Sequence, residues 1–267
     1  MEANPMLKSG SDTDQLEWFL NGFAARDIAD PLLSIDQCSG VDEAKRVVDK
    51  SGSAVLGIRS SGLVQHWIRT DGLSSSGTSL TPREFTPGNV VQPHASLNQV
   101  VLALRSEDFI FVHELGHVVA FITKASLEKP PMRMWLFGIV TVSEQRVSRL
   151  IEQLYPDDGW EKYLSPGRMA KARELQQLRL ARGQQRSLLE CLQLADKGQI
   201  VSRDESLRSR TRFNSRKDVE RFVQALQDLR NNLAHAQEIS EDMEIIYELA
   251  ANVHRIVGGD QAAQVTT

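Results

Sequence analysis

Between residues 47 and 127 the chain repeats its own hydrophobic pattern at an offset of 54 residues, without a gap. Val47 and Val48 correspond to Val101 and Leu102, Val55 to Phe109, Ile58 to Val112, Gly62 to Gly116, Val64 to Val118, Trp67 to Phe121, Ile68 to Ile122 and Leu73 to Leu127. Self-similarity at a fixed period marks two copies of one supersecondary unit. Each copy reads as helix, strand, tight glycine turn, strand and the start of another helix. In the second copy these are Ser96 to Arg105, Phe109 to His113, the turn Leu115-Gly116, and His117 to Thr123. A short amphipathic helix, Asp12 to Ala25, is predicted ahead of the tandem, with Leu16, Phe19, Leu20 and Phe23 on one side.

The run from Phe111 to Thr123 resembles the strand-turn-strand of cystathionine-β-synthase (CBS) domains, which ends in Gly-Ile-Ile-Thr-x-x-Asp. From about Phe23 to Lys129 the chain is similar to a tandem CBS pair. The resemblance implies a regulatory module holding an adenosine-type nucleotide in the cleft between its copies. Thr123 keeps the family's Thr, but Ser126 stands where the ribose-binding Asp belongs. In copy one the same places read Arg69 and Gly72, with Asp71 displaced by one residue. Serine and glycine offer no carboxylate to a ribose. Arg59, Arg69, Thr123 and Ser126 are therefore the expected cleft residues either for another phosphate-bearing ligand or for a purely structural dimerisation module.

His113-Glu114-Leu115-Gly116-His117 also matches His-Glu-x-x-His, the zinc-protease signature. On a helix that spacing sets both imidazoles on one metal, with the glutamate as general base, and Glu144 is a conceivable third ligand. The flanks, however, are β-branched and aromatic with glycine at the centre, which favours a hairpin. The equivalent place in copy one, Arg59-Ser60-Ser61-Gly62-Leu63, has no pair of metal ligands. The expectation is a turn with Glu114 at its tip and no metal, the zinc protease standing as a remote alternative.

From residue 130 the periodicity becomes helical. Pro130-Pro131 is expected to end the repeat. Helices are predicted over Trp135 to Leu154, from Ser165-Pro166 to Arg182-Gly183, over Arg186 to Ala195 with a stop at Asp196-Lys197-Gly198, from Ser215 through His235, and over Glu241 to Val257 behind a Ser240 cap. A loop is predicted from Ser202 to Arg212. The fold class is thus α+β: an N-terminal helix or tail over 1–22, a tandem α/β repeat over 23–129, a helical bundle over 130–259 and a disordered tail over 260–267.

The fourth of these helices carries the candidate site. Ser215 and Asp218 form a capping-box-like start, and Val219, Phe222, Val223, Leu226, Leu229 and Leu233 recur at helical spacing. At its polar end lies Arg230-Asn231-Asn232-Leu233-Ala234-His235. At 100° per residue Asn231 and His235 share a face, and Arg230 and His235 stand about 140° apart. Arginine suits phosphate as a permanently charged fork, and histidine exchanges protons near neutral pH. Set against this is a solvated helix face, or side chains tying the helix to its neighbours. The stretch resembles the Arg-x4-6-His motif of the HEPN superfamily, all-α proteins that include metal-independent ribonucleases, and Asn231 fits the polar residue often found after the arginine. That resemblance implies that two bundles pair around one cleft, with Arg230, Asn231 and His235 as the catalytic set. Glu144, Arg146 and Arg149 are the other polar residues expected to line such a site, although ordinary surface charge is the simpler role for them.

Charge and composition bound the alternatives. The net charge of −4 hides a basic segment from Glu161 to His235, with 16 Lys and Arg against 9 Asp and Glu. Arg203, Arg208, Arg210, Arg212, Arg216 and Lys217 cluster just ahead of or within the start of the motif helix, a footprint suited to RNA or another polyanion. No apolar run approaches the roughly 20 residues needed to cross a bilayer, and Met1 to Asp14 lacks the pattern of a secretion signal. Cys38 and Cys191 form no Cys-x-x-Cys pair, which suits a reducing compartment. The expectation is a cytoplasmic homodimer acting as a regulated endoribonuclease that needs no cofactor. A non-catalytic nucleotide-sensing or interaction protein of the same fold is the main alternative.

Overall fold

The computed structural model describes residues 19, 21–71, 73, 80–211, 213–235, 238–239 and 243–257, with side chains in the last helix through residue 252. The chain divides into two compact units, one spanning Asn21–Arg133 and the other comprising Met134–Thr267 with the first twenty residues. Most of the helix expected over Asp12 to Ala25, the Ser240 cap and the tail from 260 lie outside the described residues.

The Asn21–Arg133 unit contains, in order, α1 (Ala25–Ile28), β1 (Asp30–Pro31), β2 (Ser34–Asp36), α2 (Val41–Ser51), β3 (Val55–Ser60), β4 (Leu63–Arg69), β5 (Arg83–Glu84), β6 (Val90–Val91), α3 (Leu97–Ala103), β7 (Ile110–Glu114) and β8 (His117–Ile122). Two sheets result, ordered β2-β3-β4-β5 and β1-β8-β7-β6. In each, a parallel pair bridged by a helix is followed by an antiparallel hairpin: β2 and β3 across α2, then β4; β6 and β7 across α3, then β8. Ser96 caps α3 by accepting a hydrogen bond from the Gln99 N–H at 3.3 Å.

The sequence repeat is thus a repeat of structure, down to its irregularities. The hairpin ladders slip at Ile58/Arg59 and again at Val112/His113, which are 54 residues apart. The turns are Ser61-Gly62, at φ 52° and 80°, and Leu115-Gly116, at φ 49° and 86°. Two successive left-handed residues match the right-handed twist of the flanking strands, which is why glycine recurs there.

The outermost strands are exchanged between copies. β1, ahead of copy one, pairs with β8 of copy two, while β5, ahead of copy two, pairs with β4 of copy one. The exchange occupies an otherwise open edge of each hairpin. A shared core joins the copies: Trp67, Phe109, Phe111, Val118 and Phe121 are buried together. The Trp67 ring lies 5.0 Å from that of Phe111, and its indole N–H donates to the Glu84 carbonyl at 3.1 Å.

Pro130 and Pro131, expected to end the repeat, are the first two residues of α4 (Pro130–Leu154), a 25-residue helix. Proline is tolerated in a first turn because the amides there have no intrahelical partner. A 3-10 turn at Gly159–Tyr163 follows, then α5 (Pro166–Ala181), a 3-10 turn at Leu189–Cys191, α6 (Leu194–Arg203), α7 (Glu205–Thr211), α8 (Arg216–Ala234) and α9 (Met243–Val257). Ile151, Trp160, Met169, Leu189, Ile200, Leu207 and Val219 form the core of this unit.

Two expectations are corrected here. The helix predicted over Arg186 to Ala195 is absent: that stretch holds only the 3-10 turn at Leu189–Cys191, and α6 begins at Leu194 and runs through Asp196-Lys197-Gly198, where a stop was expected. Asp196 serves its first turn, accepting from the Gln193 N–H at 3.2 Å. Gly198 is there for packing, since a Cβ on it would stand 2.6 Å from Val223 of α8. The loop predicted from Ser202 to Arg212 contains α7, started by Asp204, whose Oδ1 accepts from the Leu207 N–H at 2.7 Å. With one buried leucine in seven residues, that helix offered almost no hydrophobic period to read. Among the described residues no helix is long and apolar enough to cross a membrane.

Candidate functional site

Ser215 starts α8 by accepting from the Asp218 N–H at 3.1 Å, and Val219, Phe222, Leu226 and Leu229 bury one stripe of it. Burial of that stripe turns the rest of the last turn outward. Arg230 and Asn231 are exposed, and so is His235, which caps the helix by donating its N–H to the Asn231 carbonyl at 3.0 Å. All three motif side chains therefore reach solvent at one end of α8.

Arg230 has a neighbour from a distant part of the sequence. Its guanidinium lies 3.9 Å from Glu144 Oε2 on α4, while Glu144 Oε1 accepts a 2.9 Å hydrogen bond from Lys197 on α6. One carboxylate thus serves two cations. Lys197 is 4% exposed, and ionic groups so deeply buried require a partner. Sequence reasoning groups Glu144 with Arg230 but assigns Lys197 to a helix stop, and so misses this residue. Its position on the buried side of α6 becomes legible only once a helix is known to start at Leu194 and pass through it.

Glu144 and Lys197 also line an open polar groove of about 600 Å³ formed by α4, α5, the connection after it and α6. Arg149, Arg179 and Arg186 add three further cations, and Glu152 and Glu190 two further carboxylates. Arg186 pairs with Glu190 at 2.8 Å. The Ser187 backbone N–H holds the Glu190 carboxyl below the usual range, with help from Arg186 against the opposing effect of burial. Arg179 donates to the Glu190 carbonyl at 3.2 Å. Arg146 is half-buried on the same helix as Glu144.

The basic cluster ahead of α8 is not a loop. Arg203 ends α6, and its guanidinium donates to the Tyr163 carbonyl at 2.7 Å. Arg208, on α7, donates to the Ser202 carbonyl at 2.7 Å. Arg210 lies on α7, Arg216 and Lys217 open α8, and Arg212 is outside the described residues. Two of these arginines thus bind the protein's own backbone.

The residues expected in a ligand cleft of the first unit are engaged with neighbouring side chains or backbone. Arg59 sits 3.2 Å from Asp36, its register partner across β2 and β3. Arg69 bonds Asp108 at 2.7 Å and Asp71 at 3.1 Å, with its guanidinium 5.1 Å above the Phe109 ring. The Thr123 N–H donates to Ser126 Oγ at 3.1 Å. Ser126, 2% exposed, in turn donates to Asp30 Oδ2 at 3.3 Å. Lys129 closes this cluster through Asp30 Oδ1 at 2.7 Å and the Ile28 and Ala29 carbonyls.

His113 and His117 lie on β7 and β8, where His113 faces Val118 and Glu114 faces His117 across the ladder. The tip is Leu115, 92% exposed, rather than Glu114. This hairpin does not provide the one-face helical spacing that a zinc-protease signature requires, so the protease alternative loses its geometric basis. No protein-family model matches the chain, and no curated protein matches it.

Proposed function

We propose that the chain is a metal-independent, HEPN-like endoribonuclease whose site is Arg230, Asn231 and His235, joined to a CBS-like tandem that regulates or dimerises it in the cytoplasm. The observation that carries this reading is the solvent exposure of all three side chains at one end of α8. A guanidinium and an imidazole open to solvent are the groups that phosphodiester transesterification needs. In a homodimer with two motifs around one cleft, one His235 takes the proton of the ribose 2′-hydroxyl as its oxygen bonds to phosphorus. The P–O5′ bond breaks, and the 5′ oxygen collects a proton from the second His235. Arg230 stabilises charge on the phosphoryl oxygens, and Asn231 orients the imidazole or the substrate. The products are a 2′,3′-cyclic phosphate and a 5′-hydroxyl.

The test is His235→Ala in the full chain with an oligoribonucleotide substrate. Loss of cyclic-phosphate product with an unchanged circular dichroism spectrum and melting point supports the reading. Undiminished cleavage, or loss only through unfolding, overturns it.

A second reading has its own support. Arg230 stands beside Glu144, and Arg59, Arg69 and Ser126 are held by Asp36, Asp71, Asp108 and Asp30. Such engagement suits a non-catalytic interaction protein with a structural tandem rather than one that senses an adenosine-type nucleotide or other phosphate-bearing ligand. On that reading the purified chain cleaves no RNA, and calorimetric titration with adenosine nucleotides shows no heat of binding.

A further inference from the structure

We propose that the outer face of α5 docks an acidic amphipathic helix of a partner protein, an interaction that goes beyond the ribonuclease reading and does not depend on it. Met169 and Ala172 are the buried residues of α5, so the core holds the helix by its first half. Lys171, Leu175, Leu178 and Arg182 follow one another at i, i+4, i+7 and i+11, which puts all four within about 60° of arc on one stripe. All four are exposed, with 37% of Leu175 and 53% of Leu178 open to solvent.

The charges of the helix divide into two groups. Arg168 pairs with Asp196 at 3.3 Å, Arg173 pairs with Glu161 at 2.7 Å, and Arg179 donates to the Glu190 carbonyl at 3.2 Å. Lys171 and Arg182 are different: among the described residues neither side chain has an ion-pair or hydrogen-bond partner. These two cations close the ends of the leucine pair, about 16 Å apart along the axis at 1.5 Å per residue. Glu174, the one acidic residue of α5, stands beside the stripe and leaves both of its ends positive. A single exposed leucine is ordinary and favours the helix on its own account. Two of them one turn apart, with a free cation at each end, form a pattern that a partner can read.

The pattern also decides against a second copy of this chain. Antiparallel pairing of two such stripes sets Lys171 of one copy against Arg182 of the other, and parallel pairing sets each cation against its own counterpart. Like charges meet in both arrangements. The complementary occupant carries Glu-x-x-x-Leu-x-x-Leu-x-x-x-Glu on one helical face, a spacing that reads the same from either end. Its leucines cover Leu175 and Leu178 in the helix-on-helix manner, and its carboxylates meet the two cations.

The experiment is fluorescence anisotropy of a labelled synthetic helical peptide of that pattern, titrated with the full chain. Lys171→Glu with Arg182→Glu is expected to raise Kd at least about tenfold, because two exposed attractions become two repulsions. A peptide with lysines in place of the two glutamates is expected to recover the affinity on that variant, which a folding defect would prevent. Leu175→Ser with Leu178→Ser is expected to weaken binding of the acidic peptide at least about tenfold through the lost apolar contact. No saturable binding to the parent, no recovery by the charge-reversed peptide, or displacement of the peptide by oligouridine at equal concentration overturns the proposal. Two further results overturn it in favour of another occupant: sedimentation of the parent with phosphatidylserine vesicles that the leucine variant loses, and a dimer in sedimentation equilibrium that the same variant loses.

Discussion

Lys197 donates a 2.9 Å hydrogen bond to Glu144 while only 4% of the lysine is exposed. α6 and α4 are therefore joined by an ion pair of which one member is buried and the other, with 26% of its side chain exposed, reaches the groove. The same carboxylate faces Arg230, half of whose side chain is exposed. The two pairings differ in environment, and their energetic consequences should differ accordingly.

Glu144→Gln leaves the buried ammonium without its counter-charge and should cost about 2–3 kcal/mol, below the full range for a wholly buried pair because Glu144 is partly solvated. Arg230→Ala removes a solvent-screened interaction and should change stability by less than about 1 kcal/mol. Urea denaturation of the two variants measures both, and equal losses would contradict this account.

Asp204 should govern part of the acid stability. Burial alone would raise its carboxyl, but the hydroxyls of Tyr155 and Tyr163, with the N–H groups of Leu207 and Ser206, outweigh burial and hold it below the usual range. The hydrogen bond to Asp204 raises the Tyr155 phenol in turn. A carboxylate depressed by folding contributes stability above its unfolded value, near pH 4, and that contribution fades as pH falls through the lower folded value. Asp204→Asn should lower stability at pH 7 by about 2 kcal/mol, since it weakens hydrogen bonds to a charged acceptor. It should also flatten the stability profile below about pH 4. Denaturation midpoints from about pH 2.5 to 7 for the two proteins provide the comparison.

Gly198 and Val223 should be energetically coupled. A methyl group at Gly198 meets both Val223 γ-carbons at 2.6 Å, so Gly198→Ala should destabilise the chain by about 1–3 kcal/mol despite the better helix propensity of alanine. Val223→Ala by itself should also destabilise. In the double variant the new methyl fills the space left by the valine, and a thermodynamic cycle should return a favourable interaction of at least about 1 kcal/mol.

The second hairpin carries a removable strain. Leu115 adopts φ 49° with 92% of its surface exposed, a backbone conformation in which Asn is far better tolerated. Leu115→Asn should raise stability by about 0.5–1 kcal/mol, the scale on which local backbone compatibility acts. Gly116→Ala, at φ 86°, should lower it by about 1 kcal/mol. Thermal melts showing the opposite order would rule out this turn geometry.

The amino-acid sequence by itself determined the α+β class, the two copies of the strand-turn-strand unit and the capped motif helix. Each depends on local pattern and turn chemistry: short apolar strands repeated at one offset, a glycine at the second of two successive left-handed positions, and Ser215 before the stripe from Val219 to Leu229. The exchange of β1 and β5 between copies, the helical path through Asp196-Lys197-Gly198 and the burial of Lys197 against Glu144 were decided only by the tertiary structure. The strand exchanges and the Glu144 pairings join residues from 16 to 91 positions apart along the chain, across distances over which neither helical nor strand periodicity carries information. At Gly198 a local signal for termination was outweighed by the closeness of α8, because the space a side chain lacks has value only when another helix comes to fill it.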